Sequence, residues 1–236
     1  RRVLFRSEGD IILIEADEYD RTFLRLTPVI AVITNIDADH LDCYRDLDDI
    51  REAFVQYASS VPFFGATICC VDDPEVRGIL PRIGRRVVTY GTVEDADVRA
   101  VDIIQDGRTM TFTVEQRGHR LGKASLAAPG RHNVLNALAA IAVGLELEMD
   151  FADIARGIGS FEGVDRRMHE IGEGAGRLVV DDYAHHPTEV RASLEAARGC
   201  WPDRRILAVF QPHLYSRTRQ LADQFGTCFD AADVLV

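Results

Sequence analysis

No stretch of this chain approaches the roughly 20 consecutive apolar residues that a helix needs to cross a bilayer, and no secretory-signal pattern opens the residues given. No CxxC pair occurs either. The five cysteines (Cys43, Cys69, Cys70, Cys200 and Cys228) are scattered and odd in number, which argues against a disulfide framework or a zinc ribbon and for reduced thiols in a cytoplasmic protein. Excess positive charge is missing too: the net charge of −11 argues against broad nucleic-acid binding, while leaving room for a local basic pocket. Internal repeats and low-complexity tracts are absent. What is present, 47% hydrophobic and 28% charged residues, suffices to bury a core, and 236 residues suit one large domain or two smaller ones.

The two ends stand apart from the rest. "RRVLFRS" (1–7) has no structural pattern and resembles a translated sequencing adapter, so it is set aside. "DAADVLV" enters an apolar run and stops at Val236, so the expectation is an interior piece of a longer protein. Between them, "DIILIEA" (10–16) and "VIAVITNI" (29–36) are short apolar runs that predict buried strands of a parallel sheet. A helix is predicted after Asp46, with Leu47, Ile50, Ala53, Phe54, Tyr57, Ala58 and Val61 at helical spacing. "ATICCVDD", "PEVRGILPRI" and "RRVVTYG" continue as strand, short helix and strand, a βαβ alternation. From 96 to 127 the pattern turns to alternating, antiparallel strands with turns at "DGR" and "RGH". Helices follow, one after "APG" and one over 151–159. "GVDRR" reads as a linker, and beyond it strand "RLVVDD", helix "PTEVRASLEAAR", strand "RRILAVF", helix "SRTRQLADQFGTCFDAA" and strand "DVLV" predict a second α/β unit.

Four clusters could carry chemistry. "EADE" (15–18) and "TNIDADHLDCY" (34–44) end the first two predicted strands, where open α/β sheets bind ligands. Neighbouring strand ends would bring Glu15 and His40 together, a carboxylate and an imidazole suited to Mg²⁺ beside a nucleotide phosphate. Turn formation explains the same aspartates and asparagine without any ligand. In "APGRHNVLNALAA", His132, Asn133 and Asn136 fall at a helix start, and a carboxamide can pair with adenine N6 and N7. In "VDDYAHHPTEV", Asp181, Asp182, Tyr183, His185 and His186 lie between a strand end and a helix whose first residue is Pro187, a phosphate- or ribose-friendly place. Zinc is the rival for the two histidines, but adjacent histidines diverge and no HxxxH spacing accompanies them. Arg166, Arg167, His213, Arg217 and Arg219 form a basic set. Arginine forks suit phosphates and carboxylates, and ordinary solvated arginines are the alternative, above all for Arg219.

"EADEYD", "TNIDADHLD", "APGRHN", "VDDY", "HHPTEV" and "FQPH" with "YSRT", in this order from about residue 8 to 236, resemble the Mur ligase family of ATP-dependent amino-acid ligases. The resemblance implies an α/β protein: a mostly parallel central sheet flanked by helices with a small antiparallel section, then an incomplete second Rossmann-like domain. It places a central ATP-binding domain at 8–162 and a truncated carboxy-terminal domain at 163–236. It implies ATP and Mg²⁺ as cofactors and, on the alanine-adding branch, joining of L-alanine to the carboxylate of UDP-N-acetylmuramate through an acyl phosphate. A recycling ligase that attaches a murein tripeptide, and a nucleotide-binding module without activity, are the alternatives. No nucleic-acid or membrane partner is implied, and the location is the cytoplasm.

Residue by residue, the resemblance gives Glu15 as the ligand of a Mg²⁺ between the ATP phosphates and His40 as the ligand of a second Mg²⁺ between the terminal phosphate and the substrate carboxylate. It gives His132, Asn133 and Asn136 as adenine and ribose contacts, and Arg167, with Arg166 beside it, as the arginine reaching the terminal phosphate. Asp182, Tyr183 and His185 become the nucleotide- and substrate-facing loop, and Arg217 a contact to the substrate carboxylate. The family's loop ending in Gly-Lys-Ser/Thr has no match, since the only lysine is Lys123, so these 236 residues alone are expected to be inactive. Two further departures matter: the helix after the DH motif has no lysine to be carbamylated, and Leu214 stands where some relatives have an arginine.

Overall fold

The computed structural model describes residues 9–236, so the adapter-like segment lies outside the described residues. Its core is a six-stranded sheet in the order β1 (Ile30–Ile33), β2 (Ala66–Cys70), β3 (Val87–Gly91), β4 (Val98–Asp106), β5 (Thr109–Gln116), β6 (His119–Leu126). The pairs β1–β2, β2–β3 and β3–β4 are parallel, and β4–β5 and β5–β6 antiparallel. All five residues of β2 are buried, because both faces of the sheet are covered. Ile68 and Cys70 pack under α3 (Arg131–Glu146) and α4 (Phe151–Gly159), while Cys69 faces α1 (Leu47–Ser59) and α2 (Pro74–Ile79). Double burial is why this strand is a continuous apolar run rather than an alternating one. The last hairpin turns through Arg117 and Gly118, both at positive φ, the two-residue geometry that matches strand twist.

Local signals place the helices. Asp46 accepts from the Asp49 N–H and Asp73 from the Val76 N–H, capping α1 and α2. Val134, Leu138, Ile141 and Ala142 line the buried face of α3. Asp49 is itself buried. Its carboxylate accepts from the Arg45 backbone N–H at 3.1 Å and from the Arg45 and Arg21 guanidinium groups. These interactions, the Arg45 backbone bond foremost, hold its pKa at about 2, below the ordinary carboxylate range. A depressed carboxylate contributes stability that is present above about pH 4 and is lost as pH falls through its folded value. Asp49→Asn is therefore expected to flatten the acid limb of a stability-versus-pH curve between about pH 4 and pH 2; an unchanged acid limb would show that Asp49 is not held this way.

The expected strand at 10–16 does not form. Strands exist by ladder hydrogen bonds, and β1 is an edge strand, paired only with β2. The segment finds no partner there, and Ile11, Ile12 and Leu13 are more than half exposed. The second unit is also lighter than the sequence predicts. "RRILAVF" yields only β9 (Leu207–Ala208), parallel to β10 (Val234–Leu235), and the long helix divides into α6 (Tyr215–Gln220) and α7 (Ala222–Phe225). The predicted "RLVVDD" strand is β8 (Arg177–Asp181), and its antiparallel partner β7 (His169–Gly174) was not predicted. Helix α5 (Pro187–Cys200) forms as expected, with a capping box of His186 and Glu189. All five cysteines are free thiols, and no helix among the described residues is long and apolar enough to cross a membrane.

Candidate functional site

Two clefts are lined by some of the predicted residues, Asn133, Asn136 and Arg167 in one and His40 in the other. The first, of about 420 Å³, lies along the start of α3 and is lined by Asn133, Asn136, Pro129, Phe161 and Arg167 among others. The geometry begins at Gly130, the residue before the helix, at φ 97°. A Cβ there would stand 2.7 Å from the His132 ring and 2.9 Å from Ala196 Cβ, so only glycine lets the backbone pass. Asn133 Nδ2 then donates to the Pro129 carbonyl at 2.7 Å, and Asn136 Nδ2 donates to Asn133 Oδ1 at 3.3 Å. The i, i+3 spacing thus sets both carboxamides on one face, at the mouth of a mainly apolar cleft. His132 has its pKa lowered, chiefly by burial, with Asp182 opposing the shift and Arg167 reinforcing it. The imidazole, Asp182 and Arg167 are therefore electrostatic neighbours.

The loop after β8 supports this cleft from the second unit. Both Asp182 oxygens accept backbone N–H groups, Oδ2 from Met168 at 2.9 Å and Oδ1 from Ala184 at 2.8 Å. The Tyr183 N–H donates to the Arg166 carbonyl, and the Tyr183 ring lies under the Arg166 guanidinium at 4.4 Å and the Arg167 guanidinium at 6.0 Å. Asp182 thus shapes a turn that holds Tyr183 against both linker arginines. His185 sits 3.4 Å from Glu189 and stacks edge-on with Tyr183 and His213.

The second cleft, of about 320 Å³, opens at the end of β1 and is lined by Glu18, Thr34, Asn35, Asp37, Asp39, His40 and, from the second unit, His186 and Thr188. His40 has φ 56°, an uncommon conformation for a residue with a side chain. Its Nε2 lies 3.2 Å from Glu18 Oε1. That contact raises the His40 pKa and lowers that of Glu18. Glu15 is exposed and does not line the cleft, so the carboxylate at the imidazole is Glu18, three residues on from the predicted one. Asp39 is engaged by Arg217, whose guanidinium donates to Oδ1 at 2.8 and 3.1 Å and to Oδ2 at 2.9 Å. Burial works to raise the Asp39 pKa, but the Arg217 and His40 N–H bonds win and hold it low. Arg217 therefore meets a carboxylate of this chain, where the expectation was a carboxylate of the substrate.

Among the described residues no group of three His, Cys, Asp or Glu side chains stands ready to enclose a metal. Mg²⁺ asks for little more than one or two protein ligands, since it keeps several waters and takes the rest from phosphate. Oxygen donors with one imidazole, beside a buried His186 Nε2 that has no partner among the described residues, fit that hydrated mode and not a zinc cage. Sequence reasoning did not single out Glu18, Asp37, Asp39 and Thr188. All four sit inside quoted motifs, and only contacts in space distinguish them: Glu18 with His40 within the first unit, and Asp37 with Thr188 and Asp39 with Arg217 across the two units.

Comparison with known proteins gives the family. The profile of the Mur ligase middle domain matches residues 4–144, and that of the Mur ligase glutamate ligase domain matches residues 166–236. The chain belongs to the Mur ligase family. A UDP-N-acetylmuramate–L-alanine ligase of Salinibacter ruber is 58% identical over 229 residues, covering 97% of this chain and 48% of that protein. One of Desulfotalea psychrophila is 51% identical, covering 97% and 50%. The chain thus spans about half the length of the curated relatives it matches. Among solved structures, the UDP-N-acetylmuramate–alanine ligase of Thermotoga maritima superposes with a TM-score of 0.74 at 29% identity, covering 91% of this chain and 46% of that one. A murein peptide ligase of Psychrobacter arcticus gives 0.60 at 25%, covering 90% and 44%.

Proposed function

We propose that the complete protein joins L-alanine to the carboxylate of UDP-N-acetylmuramate at the expense of ATP, in peptidoglycan precursor synthesis. The observation that carries this reading is the meeting of Asn133, Asn136 and Arg167 in one cleft, in a chain 58% and 51% identical to two proteins named UDP-N-acetylmuramate–L-alanine ligase. In this reading, residues 8–162 are the nucleotide-binding domain and 163–236 belong to the domain that closes over it.

The carboxamides of Asn133 and Asn136, with His132, hold adenine and ribose against the apolar wall of the larger cleft. Arg167 extends from that cleft toward the terminal phosphate, braced by the Tyr183 ring, while the backbone-anchored Asp182 fixes the loop and His185 faces the substrate side. His40 and a carboxylate, Glu15 by family resemblance or Glu18 by contact, are the residues that would hold Mg²⁺. When bound, that ion offsets negative charge on the phosphoryl oxygens. Phosphoryl transfer to the muramoyl carboxylate gives an acyl phosphate and ADP; the alanine amine attacks the acyl carbon, and phosphate leaves. Arg217 is the fork for a substrate carboxylate, with Asp39 as its present occupant.

Asn136→Ala in the complete protein is expected to raise the KM for ATP by roughly 5- to 150-fold, the equivalent of about 1–3 kcal/mol for a bidentate base contact, with a smaller change in kcat. Steady-state kinetics with ATP and GTP checks this, and equal use of the two nucleotides by the parent protein would remove the adenine assignment. The same assay separates the two carboxylates: whichever of Glu15→Gln and Glu18→Gln raises the Mg²⁺ concentration needed for half-maximal rate is the ligand, and no shift from either would remove both.

A further inference from the structure

We propose that Asp39 and Arg217 form a latch that holds the second unit of the chain closed on the DADH loop, with Asp37 and Thr188 as its second point. The pair joins residues 178 positions apart in sequence, one in the loop after β1, the other on α6. Its three hydrogen bonds run from 2.8 to 3.1 Å, and the Arg217 side chain is only 8% exposed. A guanidinium that far out of water is tolerated only with a partner, and removing the partner leaves an uncompensated buried charge. The second point lies on the same loop: Thr188 Oγ1, in the first turn of α5, donates to Asp37 Oδ2 at 2.6 Å, with His186 Nδ1 3.5 Å from the same oxygen.

Little else on the second unit could do this work. Its own buried cluster contains only Met168, Ala196 and Cys200, and α6 and α7 are six and four residues long. The other polar seam, Arg108 Nη1 to the Met168 carbonyl at 2.9 Å and Gln105 Nε2 to the Ala196 carbonyl at 3.3 Å, joins β4 and the following turn to the residues just past the linker and to α5. That seam leaves α6 untouched. Between them, residues 161–167 are exposed and carry neither helix nor strand. Two seams flanking an irregular, exposed connection describe a hinge with a clasp. In this state Asp39 occupies the Arg217 fork that a small carboxylate would otherwise take. The latch itself does not depend on which reaction the complete protein performs.

Hydrogen exchange read by mass spectrometry on the 236-residue chain tests this. Asp39→Asn is expected to raise exchange about tenfold or more in peptides covering 186–192 and 215–221, both on the far side of the seam from the substitution, and to leave 131–146 unchanged. Asp39→Glu, which keeps the charge, and the exchanged pair Asp39→Arg with Arg217→Asp should return protection most of the way. Thr188→Val should give a smaller rise, confined to 186–192. The proposal is overturned if Asp39→Asn leaves both peptides as protected as before. It is equally overturned if the exchanged pair is as open as the single variant, or if 131–146 loses protection in step, which would make Asp39 a folding residue and not a clasp.

Discussion

Alanine at His40 is expected to lower kcat of the complete protein by about 10²–10³-fold, the range seen when one preorganised stabiliser of a developing charge is removed, while the dissociation constant for ATP changes little. The imidazole sits at the strand end, at φ 56°, in the polar cleft that holds Asp37 and Asp39, and away from the carboxamide cleft. A group that acts on charge appearing during phosphoryl transfer shows in kcat and kcat/KM together, whereas a group that binds the nucleotide uniformly shows in KM. Single-turnover kinetics and equilibrium ATP titration separate the two, and an unchanged kcat at saturating Mg²⁺ would remove His40 from the reaction.

Alanine at Gly130 should be the most damaging single-methyl change at the start of α3, costing about 2–4 kcal/mol of stability. Two effects add. The backbone at φ 97° is one that side chains avoid, and the new Cβ would meet the His132 ring at 2.7 Å and Ala196 at 2.9 Å. The second contact lies on α5, so the methyl also pushes the two units apart. Gly118 is the control: its φ of 80° is also positive, but nothing lies within 4 Å of a Cβ there, so Gly118→Ala should cost only the backbone term, about 1 kcal/mol. Urea unfolding of both variants checks this. Equal midpoints would show that the approach of His132 and Ala196 does not constrain Gly130.

Much of the first unit was legible because its signals are local. Asp46 and Asp73 cap the helices they precede, and the run "ATICC" is continuous because sheet faces on both sides are covered. The segment 10–16 also carries a continuous apolar run, IILI, but strand formation requires a neighbour, and composition does not report one. Strand β7 was missed for the opposite reason. "HEIGEG" has little apolar signal and forms through its hairpin with β8, turned at Ala175 and Gly176, both at positive φ. In the second unit, a helical pattern over 216–232 broke into short pieces because its buried cluster is too small to hold a long amphipathic face.

The site divides the same way. Asn133 and Asn136 are three residues apart on one helix, so spacing alone sets them on one face, and Arg167 joins them across the linker. Which carboxylate meets His40, and what engages Arg217, depend on how the loops at 15–18 and 34–44 and helix α6 meet in space. Residues such as Glu15 and Glu18, or Asp37 and Asp39, are chemically equivalent in sequence and differ only in where the chain delivers them.

The most direct measurement is phosphate release by the complete protein supplied with MgATP and UDP-N-acetylmuramate, with L-alanine, other amino acids or the murein tripeptide offered in turn. The account predicts release that depends on all three substrates and is fastest with L-alanine, with UDP-N-acetylmuramoyl-L-alanine as the product by mass. Release with the tripeptide in preference to L-alanine, or none with any amine, would contradict it.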